Sequence, residues 1–469
     1  MKARFALSFV ALFLSSAVCI AQPGSLRAGT AKVEITPPAG DFPFPLVSAG
    51  GMMPQYIGIH DPLFARALVL DDGATQVAFV IVDVTEIPKP AEFRRTVAQT
   101  IGIPEANLIL AASHTHSEPT MYYNENPQPA PPPPPAPAAG AQGSPGAPGA
   151  PGGSRVVLTP EQKAQQDAQW VKELNRVIQG AAEAAREART QLKPATVAFA
   201  RGQAFVNTRS KGAGAGDPAG PSDKSLDVVR FVGADGTPIA QLVDYGVPGT
   251  VMLHNVTRDN GAEVSGDILG TAAQLVERQP GNTAVTLFAS GADGDQGPIF
   301  RATPPAVGKL PAVKEGAAAW EMLDVLGGTL ANSLLSVTDK MPAGAGSVKL
   351  SAAAKTVSCP TERRTMDRTT GTVTVADGPP AQIPLSLIRI GDIAVAGVGA
   401  NLGSVIGQHF KAASPLPQTT LVTVLAGSAG YILDDATLAA PGGKMGNLKP
   451  GCAENAIIQG LVEMIKAKP

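Results

Sequence analysis

The stretch FARALVLDDGATQVAFVIVDV (residues 64–84) decides the fold class of this 469-residue chain. It predicts two β-strands joined by a turn at Asp71-Asp72-Gly73, and its second half is a nearly continuous apolar run that ends at Asp83. Such runs are typical of strands that are covered on both faces. The stretch therefore indicates a sheet buried between two layers.

Helices and further strands alternate around this stretch. A helix over residues 90–101 is predicted to stop at Gly102, and a long helix begins at Pro160, is capped by Thr159 and continues towards Arg189. Further strands are expected at residues 31–38, 107–116, 237–247, 283–295 and 418–432, and a hairpin is expected at residues 385–400. The pattern predicts an α/β fold with a mixed β-sheet and flanking helices. Polar residues follow the strand ends, where α/β proteins build their sites.

The N-terminus predicts export. Two basic residues precede an apolar stretch that ends in small residues at Ala21, which is the pattern of a signal peptide over residues 1–21. The mature chain is therefore expected to be secreted or periplasmic, and no later segment is apolar enough for an integral membrane span. The formal net charge of −2 and the lack of a basic cluster exclude nucleic acid as a partner. Nothing in the sequence specifies an oligomeric state.

A Pro/Gly/Ala-rich segment divides the domain. Residues 127–153 carry no charge and no large apolar side chain, so they are predicted to be a disordered insertion. A single large domain is then expected in two parts, residues 25–126 and 154–469. Two cysteines follow the signal peptide, Cys359 and Cys452. In an exported chain they form either a disulfide or two buried thiols.

The segment LILAASHTHSEP (residues 108–119) carries the strongest chemical signal. Its apolar strand runs into His114 and His116, which share one face of an extended chain and can approach a common metal ion. The other interpretation is a pair of polar residues where a strand leaves the core. Two large metallohydrolase patterns fit poorly, because Asp-His does not follow the pair and too few further histidines are present.

Seven segments in a fixed order resemble the catalytic domain of the neutral/alkaline non-lysosomal ceramidase family. They are GTAKVEITPP, GIHDPLFARALVLDDG, VAFVIVDV, LILAASHTHSEP, FVNTRS, VSGD and SGADGDQGP. The resemblance extends from about Ala28 to the C-terminus, and the family's C-terminal β-sandwich has no counterpart in it. It implies a zinc-dependent enzyme of sphingolipid metabolism that hydrolyses the N-acyl bond of ceramide or a related lipid amide.

The resemblance also implies roles for individual residues. His114 and Tyr431 match metal ligands, His116 and Arg209 match residues near the substrate amide, and Asp295 is expected beside them. In this mechanism a metal-bound water attacks the amide carbonyl, a histidine moves protons, and arginine and tyrosine stabilise the oxyanion. Zinc is thus the expected cofactor, and His116, Arg209 and Asp295 are the expected catalytic residues.

Three positions depart from the family pattern. Pro248 and Asn401 stand where the family has a histidine and a glutamate ligand, and Gly297 replaces a serine proposed to act in catalysis. Proline has no ligating atom, and a neutral amide binds zinc far less well than a carboxylate. His254 could move into the vacant ligand position, or it is a surface-loop histidine. The sequence therefore predicts either a ceramidase-like hydrolase with weakened zinc binding or a catalytically impaired binding or structural protein.

Overall fold

The computed structural model describes residues 25–44, 56–119, 159–212, 222–253, 261–301, 318–366, 372–440 and 446–467. The predicted signal peptide, the predicted insertion at residues 127–153 and the candidate ligand His254 lie outside these residues.

Strands and helices alternate through the described residues. The strands are β1 (Arg27–Glu34), β2 (Tyr56–Ile59), β3 (Phe64–Asp71), β4 (Gln76–Val82), β5 (Leu108–Ala112), β6 (Lys193–Gln203), β7 (Asn207–Arg209), β8 (Ser225–Gly233), β9 (Pro238–Tyr245), β10 (Ala262–Val264), β11 (Val285–Ser290), β12 (Gln296–Pro298), β13 (Leu350–Met366), β14 (Val373–Ile390), β15 (Ile393–Val398), β16 (Asn401–Leu402), β17 (Gln418–Val422) and β18 (Tyr431–Ile432). The α-helices are α1 (Pro90–Ile101), α2 (Pro160–Thr190), α3 (Asp267–Glu277), α4 (Ala318–Thr338), α5 (Ser404–Ala413), α6 (Asp435–Ala439) and α7 (Ala453–Lys466).

A large mixed sheet organises the molecule. Within the described ranges it has eight strands in the order β11-β9-β8-β6-β1-β3-β4-β5, with parallel pairs at β11–β9 and β4–β5 and antiparallel pairs between them. The sheet coils strongly, since β11 at one edge contacts β3, β4 and β5 towards the other. A second sheet, in the order β13-β14-β15-β17, packs against its inner face through one shared apolar core.

The apolar run that predicted the fold class is buried on both faces, as expected. Along β4, Ala78, Val80 and Val82 pack under the helices α1 and α2. The alternate residues Val77, Phe79 and Ile81 face the core between the two sheets. The other helices cover further faces: α3 and α4 lie on β8, β9 and β11, and α5 and α7 cover the second sheet. The α/β class with a mixed sheet is therefore confirmed.

The predicted strand over residues 418–432 is shorter than expected. It ends at Val422, and the chain then crosses the ends of neighbouring strands, with Thr423 N bonded to Ser290 O and Val424 N to Ala400 O. Val424 and the following Gly427 and Gly430 have positive φ, which breaks the extended conformation. Only Tyr431–Ile432 returns to a strand. The turn brings Tyr431 to the strand ends.

The two cysteines form a disulfide rather than two buried thiols. Cys359 on β13 is bonded to Cys452 at the start of α7, with their Cα atoms 5.8 Å apart. The bond attaches the C-terminal helix to the second sheet. No helix among the residues described is both long and apolar enough to cross a membrane.

A buried ion-pair group joins the large sheet to α3. Arg66 bonds Asp83 at 2.9 Å and Glu277 at 3.1 Å, and Lys32 bonds Glu277 at 2.6 Å. Burial alone would raise the pKa of Glu277, but the charge of Arg66 and the bonds from Lys32 and Thr286 N hold this pKa below its ordinary value. The native state therefore favours the ionised carboxylate.

This lowered pKa predicts a stability change in acid. The contribution of Glu277 is present above its unfolded pKa of 4.5 and is lost as the pH falls through the lower pKa of the folded state. We expect the free energy of unfolding to fall between about pH 5 and about pH 3, and to fall less steeply in Glu277→Gln. Urea titrations at several pH values measure both slopes. Equal slopes in the two proteins would contradict the assignment.

Candidate functional site

The segment that follows β5 is held between two neighbouring loops. Ser113 N donates to Val82 O at 2.8 Å, and His114 N donates to Val84 O at 3.1 Å. On the other side, Gly249 N donates to His114 O and His116 N donates to Gly249 O. A Cβ at Gly249 would lie 2.7 Å from the Thr115 Cα atom, so this close approach requires glycine. These contacts fix the backbone on both sides of His114.

His114 adopts a strained conformation for a side chain with a Cβ. Its φ is 65°, in the left-handed region, and its side chain is buried. Strained backbone of this kind is found at functional sites, where the surrounding contacts compensate its cost. Here the flanking hydrogen bonds hold the residue in place.

Asp293 orients the His114 ring. Its Oδ2 atom lies 2.6 Å from His114 Nδ1 and accepts a second bond from Ser290 Oγ at 2.5 Å. Burial lowers the pKa of His114, but the charge and hydrogen bond of Asp293, with the charge of Glu86, raise it above the ordinary value. Burial likewise opposes ionisation of Asp293, whose pKa is nevertheless lowered by His114. The pair therefore favours an imidazolium beside a carboxylate.

Three residues face this pair from other elements. Glu86 follows β4, while Asn401 and Tyr431 are paired across the short parallel strands β16 and β18. Burial and the negative charges of Asp293 and Glu86 raise the pKa of Tyr431, so its hydroxyl stays protonated. Loss of water around the carboxylate raises the pKa of Glu86, against the effects of His114 and Asn401. Glu86 remains exposed on one side, which opens the group to solvent.

Lys211 completes the group from the loop after β7. Its Nζ atom donates to Gly294 O at 2.6 Å and lies 4.4 Å from the centre of the Tyr431 ring. Burial lowers its pKa, and the negative charges of Asp293 and Asp295 oppose this effect. We call the six residues the strand-end cluster: Glu86, His114, Lys211, Asp293, Asn401 and Tyr431.

The structure also places the expected catalytic residues. The His116 ring is centred 4.9 Å from that of His114. Asp295 accepts bonds from Ser404 N at 2.7 Å and Ser404 Oγ at 3.0 Å, so its carboxylate anchors the start of α5. Arg209 lies 3.5 Å from Asp295 and donates to Thr437 Oγ1. The fold thus brings His116, Arg209 and Asp295 near the cluster. The side chains of Arg209 and Asp295 are engaged in contacts with other protein groups.

The donor chemistry of the described residues does not match a protein zinc site. Pro248 offers no donor, and Asn401 offers only a neutral amide in place of a carboxylate. Within the described ranges no three His, Cys, Asp or Glu residues are grouped to hold a metal ion. Of the expected ligands that lie within the described residues, His114 and Tyr431 are two donors where zinc takes three or four.

Three members of the cluster escaped the sequence analysis. Asp293 lies in the segment SGADGDQGP, where the rule that polar residues after strand ends build sites could have found it. Glu86 follows β4 in the same way. No sequence pattern around Lys211 predicted a site, because its loop is placed beside the cluster by the pairing of β7 with the distant strand β12.

Comparison with proteins of known structure identifies the fold of this chain. No family model and no curated protein matches the chain. Solved structures do match, among them a ceramidase complexed with C2 (TM-score 0.66, 16% identity) and a neutral ceramidase from Pseudomonas aeruginosa (TM-score 0.63, 17% identity). Each match covers 94% of this chain, with 75% of the first structure and 74% of the second. The chain has the fold of these ceramidases.

Proposed function

We propose that this chain is an exported hydrolase of N-acyl lipid amides such as ceramide. The observation that carries the proposal is the buried hydrogen bond of 2.6 Å between His114 and Asp293. A carboxylate on Nδ1 fixes the ring and leaves Nε2 to exchange a proton with water and substrate, as a general base and acid require. The shared fold with two ceramidases supports the substrate class.

The chemistry follows from the positions of the cluster. Because the pKa of His114 is raised, the reactive form is the neutral imidazole, whose share grows as the pH rises through that pKa. In this form His114 Nε2 takes a proton from a water molecule as the water oxygen attacks the amide carbonyl carbon, and the carbonyl oxygen becomes an oxyanion. The Tyr431 hydroxyl, kept protonated by its raised pKa, donates a hydrogen bond to that oxyanion. When the carbon–nitrogen bond breaks, His114 returns its proton to the leaving nitrogen. The products are a carboxylic acid and an amine.

The expected reaction is tested with the mature protein and a ceramide. Mass spectrometry should detect fatty acid and amine in equal amounts, and His114→Ala should slow their release by about 10³-fold. Parallel reactions with added zinc and with a chelator measure any effect of the metal, because the altered donors at Pro248 and Asn401 predict little dependence on it. Ceramide binding without hydrolysis would instead indicate the impaired binding protein.

A further inference from the structure

A lysine ammonium lies where this site needs positive charge. Lys211 Nζ is half-buried, 4.4 Å from the centre of the Tyr431 ring, and one of its protons is donated to Gly294 O. Gly294 directly follows Asp293 in the chain, so this bond places the ammonium beside the loop that carries the His114–Asp293 pair. An ammonium has three protons, and among the described residues Lys211 Nζ donates one of them to Gly294 O, which leaves two for a substrate.

Amide hydrolysis creates an oxyanion that a neutral hydroxyl stabilises less well than a cation does. Pro248 and Asn401 lack the zinc-binding groups expected at their positions, so the described residues do not hold a zinc ion that would supply this positive charge. A half-buried cation acts strongly because the local dielectric is lower than that of water. We propose that Lys211 is a further catalytic residue, whose ammonium binds the oxyanion beside the Tyr431 hydroxyl. The catalytic role of Lys211 rests on the proposed hydrolase activity. Its binding of a negatively charged ligand does not.

The step balances with Lys211 as a donor throughout. Water attack on the carbonyl carbon moves the carbonyl π electrons to oxygen, and Lys211 and Tyr431 donate hydrogen bonds to the resulting oxyanion. Collapse of the intermediate restores the carbonyl and expels the nitrogen, which receives the proton held by His114. Lys211 neither gains nor loses a proton.

A structural role is the competing explanation. Lys211 also offsets the negative charges of Asp293 and Asp295, so its loss would disturb the fold around them. Catalysis and structure predict different patterns. A structural loss weakens every ligand alike, whereas loss of an oxyanion donor affects only ligands that carry negative charge on the oxygens of the reacting group.

Kinetics of two variants test the role in turnover. We expect Lys211→Met to lower kcat by about 10²-fold with little change in KM, as removal of one oxyanion donor does elsewhere. Lys211→Arg should recover much of the loss, because it keeps the charge. Lys355→Met is the matched control, since Lys355 forms an exposed pair with Glu463. Unchanged kcat in Lys211→Met would overturn the assignment while leaving the hydrolase proposal in place.

Binding without turnover separates the two proposals. Dodecanoate carries its negative charge on the carboxylate oxygens, which correspond to the oxyanion of the reaction, and dodecanamide is its neutral counterpart. Calorimetry should show that Lys211→Met weakens dodecanoate binding by about tenfold or more and leaves dodecanamide binding within about twofold, because one charged hydrogen bond is lost. Equal effects on both ligands would overturn the assignment. If this selective loss is found in a protein that hydrolyses no ceramide, the result would support anion binding by Lys211 and would refute both the hydrolase proposal and the catalytic role of Lys211.

Discussion

Replacing His114 with alanine is expected to lower kcat for N-acyl amide hydrolysis by about 10³-fold, within the range that general acid–base catalysis contributes. The reason is the loss of the group that Asp293 orients at 2.6 Å. Asp293→Asn should also lower kcat, by about 10²- to 10⁴-fold, since the amide no longer fixes the ring for proton transfer. Initial rates with a ceramide substrate measure both losses.

The control for His114 is a second histidine. His409 is exposed on α5 and pairs with Glu454, so His409→Ala should leave kcat within about twofold of the wild type. Thermal unfolding of each variant checks that the fold is retained. An His114→Ala protein that is folded and fully active would refute the role of the His114–Asp293 pair.

Loss of the disulfide between β13 and α7 is expected to lower stability substantially. Cys359 and Cys452 are 93 residues apart, and closing a loop of this length in the unfolded chain is worth about 4 kcal/mol in the chain-entropy account. We expect the double variant Cys359→Ala, Cys452→Ala to lose roughly this amount in the free energy of unfolding. Urea titration under non-reducing conditions measures the difference.

Reduction of the wild type provides the control for this measurement. Cys359 is buried, so its replacement by alanine adds a packing loss that reduction alone does not. The reduced wild type should therefore unfold at a urea concentration between those of the oxidised protein and the double variant. Thiol titration of the denatured, unreduced protein should find no reactive thiols. Two reactive thiols would show that the bond is not formed.

The sequence by itself determined the fold class and identified His114, one member of the His114–Asp293 pair. The apolar run of β4 predicted burial on both faces because side chains alternate every residue, and Gly102 ends α1 as predicted because its φ of 68° suits glycine. His114 was found for the same local reason, since it follows a buried strand. These signals act within a few residues, so they are visible without the fold.

Only the tertiary structure decided what surrounds His114. Asp293 lies 179 residues away and meets His114 because the sheet coils until β11 contacts β4 and β5. Lys211 depends in the same way on the pairing of β7 with β12. The choice between a disulfide and two thiols depended on where α7 packs. Partners so far apart in the chain are set by topology, because contacts between distant segments depend on the packing of every element between them.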